Sequence, residues 1–318
     1  MSLTRRSLLG TAILGTGLLA AGCVPGFLQP QGILPSTDWV VDRLDKLIAA
    51  TGRDHFRRLW IQQGALAVDL LTSDGVVRGY QYFSEKTGWE EPHSPEELDP
   101  EVDPPTSVPL ADLHLDRLPQ WEKLLRPPED GLTFRVDEVG RLQLWASGAE
   151  QSGGLLLDGS ARVAELSDDV PADVVRAIEE IVASYGNQAE SVGGFNDFVH
   201  VDLNVAGSEK GMRVIRYPTT APQASVTDAL FPSKSIFDPT TVDPTLALDL
   251  LDSIPAKAKL DGQAWDWRIM RPPGGGEPTL SYGIGVDAPK QRVWVDAAGK
   301  IIAVQGNDCG PAKDWCPR

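Results

Sequence analysis

The sequence predicts an α+β fold built of tandem units, each one helix packed on a small antiparallel sheet of three to four strands. Three observations predict it. Single helical patterns alternate with runs of short strands of period two. The strands within a run are joined by short turns, which makes them antiparallel neighbours with the helix on one face. This order of helix then strands is passed through four times along the 318 residues, at irregular intervals, as expected of a structural repeat with diverged sequence.

The first unit opens at Ser36-Thr37-Asp38, a set of N-cap residues, and Val40, Leu44, Leu47 and Ile48 fall on one helical face until Thr51-Gly52 stops it. Leu59 to Gln62, Ala65 to Leu71 and Val76 to Phe83 follow as strands, with Leu66, Val68 and Leu70 alternating and Ser73-Asp74-Gly75 as the turn. Between Trp89 and Pro109 the run EEPHSPEELDPEVDPPTSVP combines prolines that cannot donate to a ladder with acids that repel one another. It is expected to be an exposed connector. Calcium ligation or docking of a basic partner is the alternative, although the acids lack the Gly-centred spacing of a calcium loop.

The second unit has a helix from Leu110 to Leu125, interrupted early by Pro119, and strands at Leu132 to Asp137, Arg141 to Ala146 and Leu155 to Asp158. In the third, Ser167-Asp168-Asp169 is expected to cap a helix with Pro171 in its first turn and Val174, Val175, Ile178, Ile181 and Val182 facing inward. Val199, Val201, Leu203 and Val205 then alternate as a strand answered by Met212 to Tyr217. Pro218 to Pro239, polar and proline-bearing, separates the fourth unit: a helix at Pro244 to Ser253 and strands at Gln263 to Arg271, Thr279 to Asp287, Gln291 to Val295 and Lys300 to Gln305. The units group into two lobes, 36–165 and 166–318. The helix-free face of each sheet must be wet, face a neighbouring sheet or line a cavity.

Ahead of the first unit, Thr4-Arg5-Arg6-Ser7-Leu8-Leu9 matches the pattern of a Tat-type signal, and the apolar run after it is too short and too rich in Gly and Ala for a spanning helix. Ala20-Ala21-Gly22 before Cys23 resembles the lipobox of bacterial lipoproteins, with Ala20 standing where that motif carries a large aliphatic residue. The resemblance implies a leader over 1–22 and a Cys23 that receives a diacylglycerol and becomes the N-terminus. The protein is then extracytoplasmic and anchored to the cell membrane. Residues 23–35, rich in Gly, Pro and Gln, are expected to be a disordered tether. Leader and layout together resemble actinobacterial lipoproteins.

With 29 basic against 45 acidic residues the net charge is −16, and it is two units more negative without Arg5 and Arg6. Such a chain is repelled by nucleic acid and by anionic headgroups, so nucleic acid is excluded as a partner and membrane attachment falls to the acyl chains. Two cysteines remain, Cys309 and Cys316 in CGPAKDWC, and in an exported protein they are expected to close a small disulfide loop over a Gly310-Pro311 turn. They are not spaced C-x-x-C and have no nearby His, so neither a redox nor a zinc role is predicted.

Arg292 to Val304, RVWVDAAGKIIAV, resembles the closing hairpin of PepSY-type modules: an alternating strand ending in Asp, a small-residue turn with Gly, then an aliphatic strand. The resemblance implies a helix against a small antiparallel sheet, and a role in binding or inhibiting other proteins. No constellation predicts chemistry. His55, His93, His114 and His200 are scattered without an H-E-x-x-H, and no G-x-S-x-G, P-loop or G-x-G-x-x-G followed by a helix occurs. Gly274-Gly275-Gly276 reads as a hairpin loop, and Asp168-Asp169 and Glu179-Glu180 as cap and surface acids. Neither catalytic residues, a metal nor a cofactor is predicted.

Trp265 and Trp267 are expected on one face of a strand with Trp294 on a neighbour, and Trp60 and Trp145 hold similar places earlier. They form either a stacking surface for a ligand or partner or the bulky core of the sheets. The expected function is a lipid-anchored extracytoplasmic binding or regulatory protein, without a catalytic site, whose partner is another envelope protein. The alternative is a lipoprotein carrier that holds an apolar or lipid ligand in a cavity between sheet and helices.

Overall fold

Ser36 accepts a hydrogen bond from the Trp39 amide through its side chain, and Gly52 ends the same helix in the left-handed region at φ 67°. Both caps stand where residue chemistry puts them, because a short hydroxyl satisfies an orphan N–H and only glycine enters the left-handed region without strain. This α1 (Thr37–Thr51) buries Val40, Leu44 and Leu47. The computed structural model describes residues 33–91, 95–98, 106–126, 129–148, 153–155, 161–195, 197–204, 210–227, 236–271 and 277–306. The leader with Arg5 and Arg6, Cys23, most of the tether, His93, much of the acid and proline run, Gly274 to Gly276 and the Cys309–Cys316 pair lie outside the described residues.

After α1 come β1 (His55–Gln62), β2 (Ala65–Leu71), β3 (Val76–Tyr82) and three two-residue strands, β4 (Trp89–Glu90), β5 (Glu96–Glu97) and β6 (Val108–Pro109). Two 3-10 turns lead into α2 (Leu118–Glu122), then β7 (Glu129–Val136), β8 (Leu142–Gly148) and β9 (Gly153–Leu155). The second half has α3 (Pro171–Tyr185), β10 (Ala189–Phe195), β11 (Phe198–Asn204), β12 (Gly211–Arg216) and β13 (Gln223–Thr227). It ends with α4 (Thr245–Leu251), α5 (Ile254–Ala258), β14 (Gln263–Met270), β15 (Thr279–Gly285), β16 (Gln291–Val295) and β17 (Ile301–Gly306).

The fold is α+β with antiparallel sheets, but the expected small separate sheets are not what forms. Their strands merge into one sheet of nine strands, order β4-β3-β2-β1-β7-β8-β9 with β5 on β3 and β6 on β1, and one of eight, order β13-β12-β11-β10-β14-β15-β16-β17. The joins are β1 against β7, with Leu59 opposite Phe134, and β10 against β14, with Val192 opposite Ile269. The reason lies in the edges. A three-strand unit leaves the backbone of its first strand unpaired, and two such edges brought together satisfy each other. Each sheet is therefore a near-twofold pair of meanders, and both belong to one compact unit, Ile33–Arg318.

One core lies between α1, α2 and the first sheet, around Leu44, Phe56, Leu59, Leu118, Trp121 and Phe134. The other lies between α3, α4, α5 and the second sheet, around Ile178, Ile181, Val201, Ile254, Trp267 and Tyr282. A seam joins the two halves: the Tyr185 hydroxyl donates to Asp137 Oδ2 at 2.6 Å, Gln143 Nε2 donates to the Pro222 carbonyl at 3.0 Å, and the Val226 amide donates to Glu138 Oε2 at 2.7 Å. Burial first, and the Asp137 charge second, push the Tyr185 phenol well above its usual range, so it stays a donor.

Several expectations are corrected. The helix expected over Leu110–Leu125 is two 3-10 turns and the short α2, because His114 takes a positive φ of 49° between them and Pro119 restarts the helix at its first turn. The residue before α3 is Val170, with no side-chain cap, and it is Asp173 that reaches back to the Ser167 amide at 2.9 Å. Leu34 is buried and its amide donates to Glu122 Oε1, so this residue of the expected tether packs on the folded body. The described parts of the Trp89–Pro109 connector pair as β4 and β5 on β3 and β6 on β1, and β13 lies inside Pro218–Pro239.

Arg162 donates to both carboxylate oxygens of buried Glu129 at 2.6 Å and to the Leu124 carbonyl at 3.0 Å, tying the chain before α3 to the first sheet. Arg162→Ala leaves that carboxylate buried with one charge partner fewer, and a loss of about 3 kcal/mol is expected in the urea unfolding free energy. A loss below about 1 kcal/mol would place the pair with ordinary surface salt bridges.

Candidate functional site

The helix-free faces of the two sheets differ in kind. On the first, Trp60 lies opposite Thr133 and Thr133 opposite Trp145, so the two indoles stand two strands apart, about 10 Å by strand spacing. Both are half-buried. Arg58 and Arg135, directly opposite each other and both exposed, flank them on one side. Gly131 lies on the other side, where an added Cβ would stand 3.6 Å from Trp60 Nε1 and 2.8 Å from Ser147 Oγ. Period two places these residues together, since β1, β7 and β8 turn their aliphatic side chains to the core and everything between them to this face.

The second sheet's free face is closed by its own charged side chains, arranged in cross-strand rows. One row runs Arg213, Asp202, Ser191, Met270, Thr279. The next runs Ile215, His200, Gly193, Arg268, Ser281, Trp294. The third runs Phe198, Phe195, Asp266, Gly283, Arg292. Arg213 holds Asp202 through Nε at 2.7 Å and Nη2 at 3.0 Å, and Ser191 Oγ donates to the same carboxylate at 2.6 Å. Arg292 reaches Asp266 at 3.1 Å and Ser281 Oγ at 3.1 Å.

Two glycines make this possible. At Gly283 an added Cβ would meet Asp266 Oδ2 at 2.7 Å, and at Gly193 it would meet the His200 ring at 2.6 Å. Without side chains there, the carboxylate and the imidazole lie flat across the neighbouring strand, and that is how charged groups on a free face become buried.

The His200 ring is 2% exposed, and neither of its nitrogens has a hydrogen-bond partner. Burial first, with the Arg268 and Arg213 cations adding to it against the opposing pull of Asp202, lowers its pKa to about 3. For Asp202 burial opposes ionisation, but the positive charge around it, from His200 when protonated and from the bonded Arg213, prevails and holds the carboxyl at about 2.

Of the tryptophans expected on a ligand or partner surface, Trp267 and Trp294 are 2% and 1% exposed and lie on opposite faces of the second sheet. Trp267 is opposite Tyr282 on the helix side, whereas Trp294 is opposite Ser281 on the charged side. A bulge between Ala264 and Asp266 breaks the alternation at Trp265, whose indole donates to the Gly285 carbonyl at 2.9 Å. The three do not form one surface. Trp60 on β1 and Trp145 on β8 do share one.

Of the scattered histidines, His55 is exposed beside Asp54 and His114 sits in a turn, while His200 joins the charged face that sequence reading did not find. Its signal was present as alternation in FVHVDLN and GMRVIR, where the residues between the aliphatics are His, Asp and Arg. Among the described residues no group of three or more His, Cys, Asp or Glu side chains could hold a metal. The helices fill the aliphatic faces of both sheets. A cleft lined by Asp168, Asp173, Asp197 and Arg216 has room for about one water molecule, about 10 Å³, far below the roughly 300 Å³ of small-molecule pockets.

No protein-family model and no curated protein matches the chain. Similar solved structures include a DNA polymerase sliding clamp from Pseudomonas aeruginosa, 13% identical over 79% of this chain and 60% of that one, with a TM-score of 0.14. A putative DNA polymerase III beta subunit from Eubacterium rectale is 9% identical over 90% of this chain and 67% of that one, with a TM-score of 0.15. PCNA from Thermococcus kodakaraensis is 13% identical over 78% and 92%, with a TM-score of 0.13. The chain thus spans about 60% of the length of the Pseudomonas clamp. Superposition this poor carries no argument about fold or function.

Proposed function

We propose that the chain is a lipid-anchored extracytoplasmic binding protein whose recognition surface for another envelope protein is the free face of its first sheet. The observation that carries this reading is the pair of half-buried indoles, Trp60 and Trp145, across Thr133 and beside exposed Arg58 and Arg135. Trp and Arg are the residues that supply most of the binding free energy at protein interfaces, and a flat sheet presents them without a cost of ordering. In this reading Arg5 and Arg6 direct export, acylated Cys23 holds the protein at the membrane, and Cys309 pairs with Cys316. The half over 36–165 recognises the partner, and the half over 166–318 supports it.

The test places a photo-crosslinking residue at Gln81, opposite Ala67 in the row that holds Trp60. In intact cells one discrete protein adduct is expected, reduced at least tenfold in a Trp60→Ala, Trp145→Ala variant whose thermal midpoint is kept. Cys23→Ser is expected to move the protein from the membrane to the soluble fraction. Adducts that are diffuse, or that persist unchanged in the double variant, would remove the first sheet from recognition.

A further inference from the structure

The free face of the first sheet is laid out in cross-strand rows of different chemistry. The tryptophan row runs Gln81, Ala67, Trp60, Thr133, Trp145 from β3 to β8. Two residues along the strands, the next row runs Gly79, Asp69, Arg58, Arg135, Gln143. On the opposite side the row is Ala65, Gln62, Gly131, Ser147, which carries no charge, and Gln62 Nε2 donates to Asp130 Oδ2 at 2.6 Å at its rim.

Positive charge therefore lies on one side of the tryptophans and not on the other. Register sets Arg58 and Arg135 directly opposite each other, an arrangement that costs a sheet stability unless an anion comes between. Asp69 faces Arg58 from β2, while the far neighbour of Arg135 is the uncharged Gln143, whose amide is given to the Pro222 carbonyl. Both arginines are exposed, so a carboxylate reaches them from solvent and needs no cavity. On a chain whose net charge is −16, this row is a place where an acidic partner is attracted.

We infer that the element recognised here is an extended segment in which an aromatic or aliphatic residue stands two positions from an Asp or Glu. This rests on the reading of the first-sheet face as the recognition surface and adds the chemistry of what that face accepts. The argument is one of matching periods. Trp60 and Arg58, like Thr133 and Arg135, are two residues apart, about 7 Å along the strand, and the same distance separates side chains on one face of an extended partner. The apolar side chain then covers Thr133 beside the indoles while the carboxylate accepts from the Arg135 guanidinium, with Arg58 adjacent. An acid next in sequence to the apolar residue would point away from the sheet, and one placed toward Gly131 would approach Asp130.

The test titrates the full chain with acetylated, amidated peptides and follows the indole N–H resonances of Trp60 and Trp145, assigned through Trp60→Phe and Trp145→Phe. The peptides are Gly-Phe-Ser-Glu-Gly, its lysine counterpart Gly-Phe-Ser-Lys-Gly, and Gly-Phe-Glu-Ser-Gly, in which the spacing is broken. Saturable shifts are expected with the first, and binding about fivefold weaker with the other two. The preference for glutamate over lysine should vanish in about 1 M sodium chloride. Arg135→Glu should turn the preference toward the lysine peptide, and Arg135→Lys should keep it for glutamate; if Arg135→Glu does not fold, Arg58→Glu is read in its place. The Gln81 crosslink and its loss in the double tryptophan variant depend on no peptide, so failure of the recognition face and failure of this preference are told apart. No saturable shift, equal binding of the glutamate and lysine peptides, a glutamate preference that survives the charge reversal, or sodium polygalacturonate shifting the same resonances at lower concentration than the first peptide would each overturn the inference.

Discussion

Between pH 6.5 and pH 4 the unfolding free energy is expected to fall by about 3 kcal/mol through His200 alone. Its pKa is lowered from 6.5 to about 3 in the folded protein, by burial first and then by the Arg268 and Arg213 cations. The sign follows from proton counting. Below pH 6.5 the unfolded chain binds a proton that the buried ring refuses, so stability rises with pH through this window and is lost as pH falls through it. The contribution is complete above pH 6.5 and exhausted near pH 3. Asp202 acts in a separate window. Its carboxyl is held at about 2, below the ordinary 3.8, so its contribution is present above 3.8 and disappears only as pH falls toward 2. Urea unfolding at half-unit steps from pH 7.5 to pH 4 checks this, with His200→Phe as reference. The variant should lose the slope between pH 6.5 and pH 4, and a variant that keeps the wild-type slope would show that His200 does not produce it.

Gly193→Ala is expected to lower stability by at least about 3 kcal/mol, at the upper end of what overpacking costs. Its Cβ would lie 2.6 Å from His200 Cε1 and 2.6 Å from the Trp267 carbonyl oxygen. The ring could swing away, but the carbonyl belongs to the paired strand β14 and cannot move without opening the ladder. Gly79→Ala is the contrast. Its Cβ would meet only the end of the Asp69 side chain, at 3.3 Å, and a change below about 1 kcal/mol is expected. A double-mutant cycle of Gly193→Ala with His200→Ala should recover part of the loss, the part due to the ring. Equal effects of the two glycine substitutions would mean that the flat packing of His200 is not what requires Gly193.

These two expectations concern the part of the molecule that was least legible from its residues. The strand β10, AESVGGF, carries adjacent glycines, which argue against a strand interior. Those are the positions where the sheet needs no side chain: Gly193 beneath the His200 ring, and Gly194, where a Cβ would meet the Trp267 indole at 2.4 Å. The local rule failed because two bulky side chains from other strands use the space. The loss of alternation at Trp265 has a similar origin, a bulge set by pairing with β15, and it separated tryptophans that period two had placed together. By contrast α1, β2 and β16 lie where their patterns put them, since each is settled by its own caps, turns or alternation.

The residues alone determined the order of α1, β1 to β3, α3, α4 and β14 to β17, the antiparallel pairing within each meander and the inward faces of α1 and α3, because caps, turns and hydrophobic period act over a few residues. Only the tertiary structure decided that β1 would find β7 and β10 would find β14, that Trp60 and Trp145 would share an open face, and that Arg213, Arg268 and Arg292 would meet two aspartates and a histidine on the other sheet. Those outcomes depend on which strand edges meet across long sequence separations, and no local preference encodes that.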